Sequence, residues 1–321
     1  MRSLRLMVFL FLIFSLVWTA NATAAEFPAK QMTFCNWGNP GSGWDNYGRI
    51  ITSLMEKHFG VTVNYVSKTG GNTNEIMQYV MEQPADGHTI VAWSNSLTGF
   101  MNFPGYVAKP TDFDTVVNLE MEPYLLFVNS QSEFKTLEDF IAYAKKNPGK
   151  LSVSGSRVGS IHHQNMFALA KEAGIEVSWI PARGAGAVLK DLLGKHISAG
   201  VFGPATGLAQ MKAGLIRPLV IFDAERYDKL PEVPSLKEKG YKFEGIPIYH
   251  GIMLRKSVPE DRKKIIVQKF KQIYDDEKFT ERMKVNAMKK IWFDPGEFTQ
   301  KFYKSVEEAK AFLNDVGILK K

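Results

Sequence analysis

The sequence contains one cysteine, Cys35, in 321 residues, so no internal disulfide framework exists. No His-Glu-x-x-His motif accompanies that lone thiol, and no metal is implied. The Gly-Lys-Ser/Thr phosphate loop is missing, and Gly41-Ser42-Gly43 lacks the third glycine of a dinucleotide fingerprint. No Gly-x-Ser-x-Gly marks a hydrolase nucleophile, because Ser154 and Ser156 flank Gly155 without a second glycine. The one long apolar run, residues 6–18, is shorter than the roughly 20 residues of a spanning helix. Lysine and arginine number 40 against 33 acidic residues, and the +7 balance is spread along the chain. With no basic stripe interleaved with aromatics, nucleic acid is excluded as a partner.

What is present begins with an address. Arg2 and Arg5 precede the apolar run, and Ala20, Ala22, Ala24 and Ala25 follow it. That order of charge, apolar core and small residues is a secretory signal peptide over 1–25, with cleavage between Ala22 and Glu26. Its removal takes the formal charge from +7 to +5. The mature protein is expected in a bacterial periplasm. The remaining composition, 45% hydrophobic and 23% charged, is that of a folded chain of about two domains.

Short β-type runs alternate with helical patterns. A strand is predicted at 32–36, a helix through Tyr47, Ile50, Ile51, Leu54 and Met55 to Gly60, and a strand at 61–66. Ile76, Met77, Val80 and Met81 mark a second helix, and Asp86-Gly87 turns into a strand at 88–93. This βαβαβ rhythm implies a parallel sheet covered by helices. It restarts with a strand at 124–128, a helix at 137–146, a strand at 151–154 and a helix from about 162 to 173. The alternation continues through 177–181, 188–193, 198–202 and 215–222. The stretch from Pro259 reads as mostly helical. No Ser- or Pro-rich linker separates the halves, so the chain should cross between two α/β lobes within ordered strands, at 122–129 and 247–254. Lobes joined in that way form a clamp that closes on a ligand. The division expected is 26–123 with 249–321 for the first lobe, and 124–248 for the second.

Three loops between a strand and a helix are rich in Gly, Ser and Thr: 39–45, 67–73 and 155–160. A helix N-terminus leaves N–H groups without intrahelical partners and carries partial positive charge, so it attracts carboxylate or phosphate. One such loop can be a plain cap or turn; three, divided between two lobes, point to an anion clamp. Arg157 and Arg183 can each fork onto a carboxylate or face solvent, and Lys68 has the same two options. Trp37, Trp44 and Trp93 can stack on a ligand or be buried in a lobe. His162-His163 is the one enzyme-like feature, but adjacent histidines on a helix point to different sides and cannot easily share a metal.

At these loops the chain resembles the periplasmic solute receptors of tripartite tricarboxylate transporters, the Bug receptors. Phe27-Pro28-Ala29-Lys30, Pro40-Gly41-Ser42-Gly43-Trp44-Asp45 and Pro84-Ala85-Asp86-Gly87-His88-Thr89 carry the likeness in the first part. Lys135-Thr136-Leu137, Asn147-Pro148-Gly149-Lys150-Leu151, Gly159-Ser160-Ile161-His162-His163 and Leu230-Pro231-Glu232-Val233-Pro234-Ser235 continue it in order. The resemblance implies an α/β, type II periplasmic-binding-protein fold with the ligand cleft between two lobes. It implies no catalysis and no cofactor. The partners it implies are a small organic anion, commonly a carboxylate, and the membrane permease subunits that receive it, with the receptor a monomer. Carried over by position, first-lobe contacts fall on Ser42, Gly43, Trp44 and Asp45, on Thr69, Gly70, Gly71, Asn72 and Thr73, and on Ser94, Asn95 and Ser96. Second-lobe contacts fall on Ser156, Arg157, Gly159, Ser160 and His163, then on Arg183, Gly184 and Ala185, with Gly203 and Pro204 closing the pocket. The chain departs from the family pattern at Gly38, Trp44, Arg183 and Ser198. Trp44 in particular reshapes the pocket wall. Two rival readings stand beside this one: a secreted hydrolase pairing His162 or His163 with a serine, and a sensor that presents its ligand to a histidine kinase.

Overall fold

The computed structural model describes residues 27–319; the signal peptide expected over 1–25 lies outside them. Strand β1 (Met32–Asn36) is almost wholly buried, and helix α1 (Gly43–Phe59) follows it. Ser42 starts the helix by accepting from the Asp45 N–H at 3.1 Å, and Gly60 ends it in the left-handed conformation at φ 73°. Strand β2 (Val63–Ser67), helix α2 (Asn74–Glu82), strand β3 (Thr89–Ser94) and the short helix α3 (Asn95–Met101) complete the first βαβαβ unit. Strands β4 (Phe113–Glu122) and β5 (Leu125–Asn129) come next, in different sheets. Helix α4 (Leu137–Lys146) opens with a reciprocal cap between Thr136 and Asp139, and β6 (Ser152–Ser154), α5 (Ile161–Ala173) and β7 (Ser178–Ile180) follow. The second sheet's remaining elements are α6 (Ala185–Leu193), β8 (Ala199–Phe202), α7 (Pro204–Lys212) and β9 (Ile216–Ile221). The chain then returns through β10 (Ile248–Arg255) to α8 (Glu260–Asp275), α9 (Glu277–Val285), β11 (Lys289–Phe293) and α10 (Pro295–Asp315).

One sheet has the order β11-β4-β10-β3-β1-β2 and the other β7-β6-β8-β5-β9. The βαβ rhythm implied parallel sheets, and the pairs β1–β2, β1–β3, β6–β7 and β6–β8 are parallel. Both sheets are nevertheless mixed. Strand β10 runs antiparallel to β3 and β4, and β5 runs antiparallel to β8 and β9. The reason lies in where the chain crosses. It leaves the first sheet at Glu122 and re-enters beside that residue, with Ile248 paired to Glu122, so the returning strand must point back. Leu125 likewise enters the second sheet beside Phe202 and Ile221, at the ends of β8 and β9.

Apolar periodicity explains the cores. On β5, Leu126 and Val128 belong to one cluster of the second sheet, while Leu125 and Phe127 belong to the cluster on the opposite face. Each such fully buried side chain stabilises by roughly 1.5–3 kcal/mol over its exposed state. Strands β4 and β11 had no counterpart in the periodicity reading. Buried Asn118, Glu120 and Glu122 interrupt the apolar pattern of β4, and β11 is only half-buried. Among the described residues no helix is long and apolar enough to cross a membrane.

Candidate functional site

A cavity of about 600 Å³ lies where the ends of β1, β3, β4 and β8 and the starts of several helices converge. Loops from the two sheets meet across it. Asn39 Nδ2 donates to the Arg183 carbonyl at 2.6 Å, and the Ile161 N–H donates to Ser96 Oγ at 3.2 Å. Gly99 carries no side chain because a Cβ there would overlap the Gly159 carbonyl.

Two helix N-termini open onto this space. Loop 39–45 is braced from behind by Asp45, whose carboxylate accepts from the Gly41 N–H (3.0 Å), Arg49 Nε (2.9 Å) and Tyr65 Oη (2.8 Å). Burial raises the Asp45 pKa, but Arg49 and the other donors outweigh it and hold the carboxyl below its usual range. With Asp45 so engaged, the N–H groups of Gly43 and Trp44 have no partner among the described residues. At the facing end, Gly184 caps α6 without a side chain, leaving the Ala185 and Gly186 N–H groups equally unpartnered. Arg157, Arg183 and Lys190 line the same space, and none of them is ion-paired among the described residues.

The opposite wall is aromatic and internally neutralised. Trp44 stacks on Tyr47 at 4.7 Å and leans on Trp37 and His250. No side chain fits at Gly38, where a Cβ would run into the first turn of α1. Beneath Trp44, Glu120 accepts from His250 Nδ1 at 2.8 Å and pairs with Arg282. Burial pushes the Glu120 pKa up, yet Arg282 and His250 prevail and keep it below the ordinary value. Burial holds His250 below the usual histidine range against the pull of Glu120, so a neutral ring donates Nδ1–H. Glu122, two residues along β4, has no cation of its own; burial pushes its carboxyl up to about 7.

Of the residues expected at the site, Ser42, Gly43, Trp44, Ser94, Ser96, Ser156, Arg157, Arg183, Gly184, Ala185 and Gly203 line the cavity. The others do not. Thr69, Gly70, Gly71 and Thr73 lie off it, and Asn72 borders a shallower side pocket with Arg157 and Arg183. Thr73 is buried and bonded to Tyr106. Asn95 spends its amide on Pro247 and Tyr249, joining α3 to the returning strand. Gly159 packs under α3, Ser160 is buried without a hydroxyl partner, and Pro204 is the first residue of α7. His163 faces away from the cleft, stacked on Trp179 at 4.5 Å and edge-on to Phe312. The histidine that lines the cavity is its neighbour His162, lying on Tyr124 at 4.2 Å.

Neither histidine bonds to a serine or a carboxylate among the described residues, and burial depresses their pKa values to about 3 and about 4. Bases that weak are poor general-base catalysts, which disfavours the hydrolase reading. Among the described residues no three His, Cys, Asp or Glu side chains cluster as metal ligands. Glu120, Glu122, His250 and Arg282 were missed by sequence reasoning. The acidic alternation Glu120-Met121-Glu122 within an apolar run was the available signal, since carboxylates at alternate strand positions share a face.

The profile of the tripartite tricarboxylate transporter family receptor matches residues 48–318. The "UPF0065 protein in gbd 5'region" of Cupriavidus necator is 26% identical over 306 residues, covering 94% of this chain and 92% of that protein. The solved periplasmic binding protein BugD superposes with a TM-score of 0.82 at 22% identity, covering 92% of this chain and 100% of that one. Rpa4515 of R. palustris, solved with adipate, superposes with a TM-score of 0.83 at 20% identity, over 91% of this chain and 99% of its own.

Proposed function

Because this chain belongs to the tripartite tricarboxylate transporter receptor family, we propose that it is a periplasmic receptor that encloses a small carboxylate and delivers it to membrane permease subunits. One observation carries this reading. Free N–H groups at two helix N-termini and the cations Arg157, Arg183 and Lys190, none of them ion-paired among the described residues, border one cavity. Unpaired positive charge and free N–H groups in a pocket fit an anion. The adipate held by Rpa4515 supports the choice of carboxylate. The signal peptide over 1–25 would place the mature chain in the periplasm. Its lobes would be 26–123 with 249–321 and 124–248, moving about the crossings beside Glu122 and Ile248.

Thermal unfolding of the refolded mature protein against mono-, di- and tricarboxylates, with their neutral amides as controls, tests this reading. A carboxylate present at 100 times its dissociation constant should add about 2.7 kcal/mol of stability. A panel without any stabilising carboxylate, or equal shifts from the amides, would sink the receptor reading.

A further inference from the structure

Among the described residues Glu122 is the one carboxylate lining the cavity, and it is set there by the backbone around it. A Cβ on Gly203 would overlap its carboxyl, so the missing side chain is what admits it. Oε1 accepts the Ala205 N–H at 2.8 Å at the start of α7, and Oε2 has no partner among the described residues. The groups around it supply no cation to spare. Glu120 takes the charge of Arg282, His250 is neutral, and Tyr124 and Tyr227 are held protonated by burial. Glu122 is therefore an uncompensated acid in a cavity that the unpaired Arg157 and Arg183 also line.

We propose that Glu122 is a second polar subsite, taking the ammonium group of an amino-carboxylate whose carboxylate meets the arginines and helix N-termini. The inference rests on the receptor reading above and narrows it from carboxylates at large to zwitterions. Three physical arguments support it. An ammonium supplies the hydrogen bonds that Oε2 lacks and the charge that the site lacks. The aromatic faces of Trp44 and Tyr124 in the same cavity suit a cation. A second carboxylate placed there would meet a like charge in a poorly hydrated site. Burial already pushes this carboxyl up to about 7, so a bound ammonium would draw it back to the ionised form.

The test is calorimetric titration of the mature protein at pH 8 with dicarboxylates of four to six carbons and the ω-amino acids of equal length. An ω-amino acid should bind at least tenfold more tightly than its dicarboxylate counterpart, and the preference should weaken at pH 6 as Glu122 takes up its proton. Glu122→Gln, which keeps an acceptor for Ala205, should abolish the preference while retaining carboxylate binding. Glu122→Asp, which keeps the charge, should retain part of it and guards against a folding defect in the amide variant. Tighter dicarboxylate binding, or a preference that survives Glu122→Gln, overturns the subsite and leaves the receptor reading standing. Binding by neither series overturns the subsite, and the receptor reading falls with it only if the wider carboxylate panel also fails.

Discussion

The two walls of the cleft handle charge in opposite ways. On the wall built from the six-stranded sheet, Glu120, His250 and Arg282 are buried and pair with one another, although Arg282 Nε has no partner among the described residues; Arg282 also lies 5.4 Å from the Tyr47 ring centroid. On the wall built from the five-stranded sheet, Arg157, Arg183 and the first N–H groups of α6 point into the cavity with nothing to balance them. A buried ion pair is costly to break, because removing one partner leaves the other charge unpaired away from water. An unmatched group costs stability in the empty protein where it is buried, as Glu122 and His162 are. The contrast assigns architecture to one wall and recognition to the other. Glu122 and the free N–H groups of Gly43 and Trp44 are the exceptions, unmatched groups on the matched wall.

The largest loss is expected at Arg282. Replacing it with methionine strands Glu120 in the interior, and denaturant unfolding at pH 7 should show a loss of about 3–5 kcal/mol. In the wild type, Glu120 has a depressed folded pKa, so its contribution is present above the unfolded value of 4.5 and lost as pH falls through the folded one. Without Arg282 that carboxyl rises, and the variant's deficit should shrink on acidification. A deficit independent of pH would show that the pair is not what matters.

A smaller effect belongs to His162, which is neutral and unpartnered on the recognition wall. Its folded pKa, about 3, lies below the unfolded 6.5, so stability is full above 6.5 and lost as pH falls towards 3. Between pH 6.5 and 5 this amounts to about 2 kcal/mol. His162→Phe should therefore lose about that much less than the wild type over the same interval, as read from unfolding midpoints. Glu122 has the opposite sign: its folded pKa, about 7, lies above the unfolded 4.5, so its contribution is full below 4.5 and lost as pH rises through 7.

The smallest change is at Arg183, which is exposed and hydrated before any ligand arrives. Arg183→Ala should weaken carboxylate binding by about tenfold, near 1.4 kcal/mol, with the unfolding midpoint of the empty protein unchanged. Unaltered affinity in a titration would remove Arg183 from the recognition wall.

Much of this was legible along the chain because it depends on neighbours in sequence. The stop at Gly60 is read within a few residues, and the helices at 43–59 and 137–146 occur where periodicity placed them. The glycine- and serine-rich loops at 39–45 and 155–160 were found by composition and do border the cavity. The loop at 67–73 has the same composition, yet only Asn72 reaches even the side pocket. There Gly71, Asn72 and Thr73 all adopt positive φ, and Thr73 turns inward to Tyr106. A loop's residue types show what it can bind; its backbone path decides which way those groups point.

Sequence by itself determined the alternation of strands and helices, the helix N-termini that can hold an anion, and the ordered motifs shared with a family of receptors. These are local properties, set by side-chain period, capping chemistry and turn residues. Tertiary structure alone decided that His162 and not His163 faces the cleft, that Arg282 neutralises Glu120 from 162 positions away, and that Glu122 is left with a free oxygen. Those outcomes depend on which distant charges are brought together out of water. Coulomb attraction and desolvation are settled by distance in space, which spacing along the chain does not encode.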